Sequence, residues 1–291
     1  MKSLKEIIED AQKNHVAVGH FNISDFAGLK AIFQTARNLQ LPVIIGVSEG
    51  EREFLGVKTV ASAIRSLRKE FDYPLFLNAD HTHTLEGIKA AVEAGFDSVI
   101  FDGSKLSFEE NVKQTKEAVK YVKSKNSKIL VEGELGYIGS SSQLLDAIPE
   151  GAALQGNLVT SEQAERFVKE TKVDLFAPAV GNIHGMLKGS PDPSLDLERI
   201  RTIKNAVKIP LVLHGASGNT EEDLRRAIES GISVIHINTE IRKAWRDGVS
   251  NFLNNNQNEI APYRILGQAV DKIQKIVDQR LRLFSGAPLD K

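Results

Sequence analysis

The sequence predicts a single (β/α)8 TIM barrel with an additional C-terminal helix. Three observations carry this: eight short β-branched runs recur along the chain, each is followed by a stretch of helical period, and 291 residues suit a fold that typically needs roughly 250. The expected strands cover residues 15–22, 42–47, 74–78, 98–101, 128–132, 174–179, 210–213 and 233–237. Amphipathic segments at 25–39, 84–94, 108–124, 161–171, 194–206 and 220–230 separate them. Ser161, Ser194 or Asp196, and Thr220 can each bond an orphan amide of a first helical turn. Gly95 and Gly231 close two helices in matching contexts, Glu93-Ala94-Gly95-Phe96-Asp97 and Glu229-Ser230-Gly231-Ile232-Ser233. A doubly wound open sheet would require a glycine-rich phosphate turn after the first strand, and His20-Phe21-Asn22-Ile23-Ser24 has none.

The whole chain, 1–291, reads as one barrel domain in which 261–291 form a helical extension. The amphipathic stretch 261–284 is expected to pack on the barrel or on a partner subunit. Residues 139–156, rich in Ser, Gly, Ala and Pro, exceed the usual connection of about 2–6 residues. They read as a mobile active-site loop or an ordinary surface excursion.

Composition excludes several classes of function. Lys and Arg number 37 against 38 Asp and Glu, with no block of five like charges, so neither nucleic acid nor an acidic membrane surface is an expected partner. No apolar run approaches the roughly 20 residues that span a bilayer. Residues 1–10 lack an apolar core and a small-residue cleavage site, so the expected location is cytoplasmic. With no cysteine, any metal must be held by His, Asp and Glu.

In a barrel the reactive groups stand at the C-terminal ends of the strands. Here those ends carry Asn22 and Ser24, Ser48 and Glu49, Asp80, His81 and His83, Asp102 and Ser104, Glu132 and Glu134, Asn182 and His184, His214, and His236, Asn238 and Thr239. Of seven histidines only His15 falls at the opposite end of its strand. Three imidazoles, His81, His184 and His214, suit a catalytic zinc that keeps an open position. Asp80 would lie beside such an ion and could move a proton, while Asp102 and Glu134 could bind a second position of the metal or orient its histidines. Gly181-Asn182-Ile183-His184-Gly185, Lys188-Gly189 and His214-Gly215-Ala216-Ser217-Gly218 supply small residues where a barrel binds phosphate, as does the helix opening at Asn238-Thr239.

These residues resemble the class II ketose-bisphosphate aldolases, the metal-dependent family of fructose-bisphosphate and tagatose-bisphosphate aldolases. The resemblance runs nearly end to end, through Phe21-Asn22-Ile23, Ala79-Asp80-His81, Phe101-Asp102-Gly103-Ser104 with Glu109-Glu110-Asn111, Val131-Glu132-Gly133-Glu134-Leu135-Gly136, residues 181–185, residues 213–218, Asn238-Thr239-Glu240 and Pro262-Tyr263-Arg264. It implies a zinc-dependent lyase in which His81, His184 and His214 hold the ion, other divalent metals also suiting the donors. Asp80 would transfer the proton of the hydroxyl at the cleaved bond, and Asp102 and Glu134 would form the alternate metal site. Gly181, Gly185, Lys188, Gly215, Ser217, Asn238 and Thr239 would surround the phosphate of dihydroxyacetone phosphate, with Asn22 and Ser24 also on the substrate. A monovalent cation, Na+ or K+, can accompany that phosphate in the family.

The expected reaction is glycolytic cleavage of fructose 1,6-bisphosphate to dihydroxyacetone phosphate and glyceraldehyde 3-phosphate, in a homodimer or homotetramer. The alternatives are a tagatose-bisphosphate or other phosphorylated-ketose aldolase, a metal hydrolase suggested by His81-Thr82-His83, and a non-catalytic sugar-phosphate binding protein. No lysine stands at the strand ends where a Schiff-base aldolase would need one. Two features depart from the family pattern. Ser141 and Ser142 replace an acidic loop pair, for which Asp146 or Glu150 could substitute, and His236 stands in place of a substrate-binding asparagine.

Overall fold

The computed structural model describes residues 2–140, 142–154 and 158–287. Eight parallel strands close a barrel: Val18–Asn22, Val43–Val47, Leu75–Thr82, Ser98–Phe101, Leu130–Leu135, Leu175–Pro178, Leu211–Leu213 and Ile232–Ile237. Their spatial order follows the chain, and the eighth pairs with the first, Phe21 opposite Ile237.

Alternation along each strand divides the core into two apolar bodies. Phe21, Ile45, Leu77, Val131, Phe176 and Ile235 pack outward beneath the ring of helices. On the opposite phase, Val18, Ile44, Phe76, Leu130, Leu175, Val212 and Val234 fill the lower barrel. The amphipathic helix Leu4–Lys13, with a Ser3–Glu6 capping box, buries Leu4, Ile7, Ile8 and Ala11 against this lower plug. One residue pair further up, the inward phase turns polar, with His20, Asn78, Glu132 and His236 all buried.

Several local expectations change. The first strand begins at Val18 rather than residue 15, because His15 adopts φ +52° and Val16 N–H bonds Ala11 O, so these residues finish the preceding helix. The helix Ser161–Thr171 is capped by Thr160, which forms a capping box with Gln163; Ser161 is its first residue. Asp196, not Ser194, caps Leu197–Val207. The second strand is followed by two helices, Glu49–Leu55 and Val57–Phe71, and the eighth by Thr239–Asn255.

The tail divides into Pro262–Ile265 and Gly267–Ser285. The second piece packs between the helices Phe26–Leu39 and Thr239–Asn255, burying Ala269, Ile273, Val277, Leu281 and Phe284. Its apolar face is therefore consumed by the chain's own barrel, which removes the tail as an argument for a partner subunit. No helix among the described residues is long and apolar enough to cross a membrane.

Gly248 is where the tail comes closest. A Cβ there would stand 2.5 Å from Ala269 Cα and 2.6 Å from its amide nitrogen, both backbone atoms that cannot rotate aside. Gly248→Ala should therefore push the two helices apart and cost about 1–3 kcal/mol of stability, measured by urea unfolding.

Candidate active site

Asp80 and His81 are sequence neighbours, and in a regular strand their side chains would point to opposite faces. The register between the third and fourth strands shifts between Ala79 and Thr82, and His81 adopts φ +40° within that irregularity. Both side chains thereby enter the same cavity. A left-handed backbone at a non-glycine residue is held only by its surroundings. The restraint here is Arg52, only 4% exposed, from the short helix after the second strand. Its guanidinium donates to Val47 O at 2.5 Å, to Asp80 O at 2.9 Å and to Thr82 Oγ1 at 3.0 Å.

His81, His184 and His214 converge. One nitrogen from each lies within 4.8 Å of those of the other two, and His81 Nε2 stands 3.2 Å from His214 Nδ1. Each ring has its own orientation. His81 Nδ1 lies 2.9 Å from Asp102 Oδ2 and 3.5 Å from Glu134 Oε2, and His214 Nε2 lies 2.7 Å from Glu132 Oε1. A carboxylate against one ring nitrogen sets the proton there and leaves the other nitrogen as a metal donor. His184 Nε2 is buried with no hydrogen-bond partner among the described residues. Asp80 closes the group, its Oδ1 3.8 Å from His81 Nε2.

The electrostatics bear on what the cluster could hold. Burial disfavours charge on every member. It pushes Glu132 up to about 7 and Glu134 well above the usual carboxylate range, and it lowers His184 well below the usual imidazole value and His214 to about 3. At His81 burial is outweighed by Asp80, Asp102 and Glu134, and this histidine is raised well above its ordinary value. Burial acts against Asp80 as well, yet His81 and His236 hold its carboxyl well below the usual range. A nest of buried acids whose positive charge is a proton on one imidazole, beside an orphaned imidazole nitrogen, fits a divalent cation. Asp102 and Glu134, which with His81 form a second such group, are placed to share it.

Below this group lies a further layer, in which the sequence marked His236 and Glu132 as strand-end residues but not His20. His20 and His236 stack face to face, ring centroids 3.4 Å apart, and His236 Nδ1 is 3.4 Å from Asp80 Oδ1. His236 also lies against His214 at 4.0 Å. Glu132 stood among the strand-end residues without a role assigned to it, and His20 was legible only as a strand residue on the inward phase. Glu51, Arg52 and Arg242 carried no signal at all.

Above the cluster, a cavity of about 200 Å³ is lined by Asp80, His81, His184, Asn238, Arg242 and Lys105, among others. Gly139, Ser140 and Ser142 from the loop after the fifth strand also line it, so that loop stands at the site. Leu144–Leu145 of this loop pairs with Met186–Leu187, tying it to the loop after the sixth strand. Ser141 lies outside the described residues.

The candidate phosphate residues gather partly. Gly215 is pressed against Ile183 O, which a Cβ would meet at 2.2 Å, and Asn182 Nδ2 donates to His214 O, so the sixth and seventh strand ends are locked together. Gly181 and Gly185 also take positive φ. Ser217 is buried, its Oγ accepting from Glu240 N–H at the start of Thr239–Asn255, beside Thr239. Asn238 precedes that helix and reaches the cavity. Asn22 donates to Asp80 Oδ2 at 2.8 Å, and Ser24 donates to Glu51. Lys188 does not reach the cavity lining: it pairs with Asp146 at 2.8 Å, and both are well exposed. That pair also occupies Asp146, while Glu150 is exposed on the loop.

Comparison with known proteins adds an independent finding. Residues 2–287 match the family model described as class-II fructose-bisphosphate aldolase. A fructose-bisphosphate aldolase from Geobacillus stearothermophilus is 36% identical over 98% of this chain and 97% of its own length. A 6-phospho-5-dehydro-2-deoxy-D-gluconate aldolase from Shouchella clausii is likewise 36% identical, over 97% and 93%. Among solved structures, the YdjI aldolase from Escherichia coli K12 superposes with a TM-score of 0.81 at 28% identity, covering 98% of this chain and 97% of that one.

The Arg52 restraint can be checked directly. Arg52→Met strips donors from two buried carbonyls beside the irregular turn, and unfolding stability should fall by about 2–4 kcal/mol in a denaturant titration. An unchanged midpoint would show that the turn holds without it.

Proposed function

This chain belongs to the class II fructose-bisphosphate aldolase family and is an aldolase; from that premise we propose that it cleaves a phosphorylated ketose at a divalent metal centre. Fructose 1,6-bisphosphate is the substrate we put first, giving dihydroxyacetone phosphate and glyceraldehyde 3-phosphate. The observation that carries this reading is the meeting of His81, His184 and His214 with Asp80 at one end of the barrel. A divalent ion held by the three imidazoles, zinc in our reading, supplies the positive charge that stabilises the electron pair left on the ketose fragment when its carbon-carbon bond breaks.

The chain's own groups do the rest. Asp80 is held ionised, and Asn22 fixes one of its oxygens, so the other is available to take the proton of the hydroxyl at the cleaved bond. Asp102 and Glu132 fix the rings of His81 and His214. Ser217, Thr239 and the backbone of residues 181, 185 and 215 would receive the phosphate next to the ketone, with Na+ or K+ as its companion. In the condensation direction a loop acid must take a proton from the three-carbon ketone phosphate. With Ser142 at the cavity and Asp146 bonded to Lys188, Glu150 is our candidate.

A second substrate reading has its own support. The relative acting on 6-phospho-5-dehydro-2-deoxy-D-gluconate is as similar to this chain as the fructose-bisphosphate aldolase is. Both substrates carry a ketone next to a phosphorylated carbon, so the same half of the site serves either. The difference lies in the second fragment, on the side of His236, Arg242 and Ser142.

Chelator treatment should abolish cleavage and added zinc or cobalt should restore it; cleavage that resists chelation overturns the metal assignment. Asp80→Ala should lower kcat by about 10²–10⁴-fold with bound metal retained. Side-by-side turnover of fructose 1,6-bisphosphate, tagatose 1,6-bisphosphate and 6-phospho-5-dehydro-2-deoxy-D-gluconate decides the substrate. The first reading requires kcat/KM for fructose 1,6-bisphosphate to exceed the other two.

A further inference from the structure

Glu51 is a carboxylate the mechanism above does not use, yet it is 4% exposed and accepts four hydrogen bonds. Oε2 receives Ser48 N–H at 2.8 Å and Asn22 Nδ2 at 2.9 Å; Oε1 receives Ser24 Oγ at 3.2 Å and Arg242 Nη2 at 2.7 Å. The Ser48 bond is the reciprocal half of a helix cap and would form with Glu51 at the surface. The other three donors come from the end of the first strand and from the helix after the eighth, so the side chain is buried for a reason beyond its own helix. Burying a carboxylate is expensive unless its lone pairs are filled, and here they are.

The connection that matters is Asn22. Its Nδ2 carries two N–H groups, one reaching Glu51 and the other Asp80 Oδ2 at 2.8 Å. A side-chain amide offers nitrogen on one side and oxygen on the other. Turned over, Asn22 would present its oxygen to Asp80, an acceptor against an anion. Glu51 rewards only the orientation that puts nitrogen between the two carboxylates, and Arg242 balances the added negative charge.

We propose that Glu51 is a positioning residue for the cleavage reaction: through Asn22 it fixes the Asp80 carboxylate, and through Arg242 it ties that carboxylate to the mouth of the pocket. The inference rests on the reading of Asp80 as the proton acceptor, and its test separates the two. In the metal-loaded enzyme, Glu51→Met should lower kcat about tenfold or more, with KM and bound metal little changed. Glu51→Gln, which keeps an oxygen for Ser48 and Asn22, should recover most of kcat. In an Asp80→Ala background, Glu51→Met should lower the residual rate no further.

A rise in KM with kcat intact would mean that Glu51 serves only Arg242, and equal losses in the Met and Gln variants would also overturn the proposal. If Glu51→Met does not fold, Glu51→Asp retains the charge beside Arg242 but is too short to hold Asn22, and must show the same loss of kcat. Should Asp80→Ala itself retain full kcat, the mechanism fails; should it lose kcat while the Glu51 variants do not, only this proposal fails.

Discussion

The structure is organised around buried acids. A (β/α)8 barrel is ordinarily filled by layers of branched apolar side chains. Here only the lower part is, and Asp80, Glu132 and Glu134 stand in the upper interior, each at most 3% exposed, with Asp102 at its edge. Left alone, such a group would repel itself and resist burial. The imidazoles beside it offer donors that become useful only when a cation is shared. A cation held in this cluster would therefore favour the folded state.

That arrangement sets demands on the rest of the molecule. The apolar plug beneath the polar layers, sealed by the N-terminal helix, keeps solvent from entering the barrel from below. The helix Glu49–Leu55 contributes Glu51 and Arg52, neighbours of opposite charge that reach different parts of Asp80: one its carboxylate through Asn22, the other its backbone carbonyl. Seven residues of helix thus govern the geometry of a strand end to which they are only briefly connected. Such rigid support is what a reaction needs when the displacement of a proton acceptor by about 1 Å can cost about 10²-fold in rate.

The proposed substrate site falls into two parts of different construction. The residues proposed to receive the phosphate, Gly215, Ser217 and Thr239, offer backbone and small side chains beside the locked sixth and seventh strand ends. The cavity itself is lined by Arg242, which pairs with Glu51, and by a serine-bearing loop, with the stacked His20–His236 pair buried beneath Asp80. Relatives of equal similarity with different named substrates are consistent with that division of labour.

Much of this was legible in the linear chain. Eight apolar runs of strand length, polar residues at their C-terminal ends and glycines after the helices define a closed parallel barrel, because period and turn chemistry are local properties. The same reasoning identified His81, His184, His214, Asp80, Asp102 and Glu134, since the fold converts a strand's end into a position on one rim. What it could not reach depends on contacts between distant segments. The pairing of Lys188 with Asp146 depends on two loops meeting in a two-stranded sheet, and the docking of the tail on its own barrel depends on the close approach at Gly248. Above all, the convergence of Asp80 and His81 on one cavity requires a break in strand alternation held by an arginine from another element. Hydrophobic period encodes which face a residue should take, but only packing decides where that rule is broken.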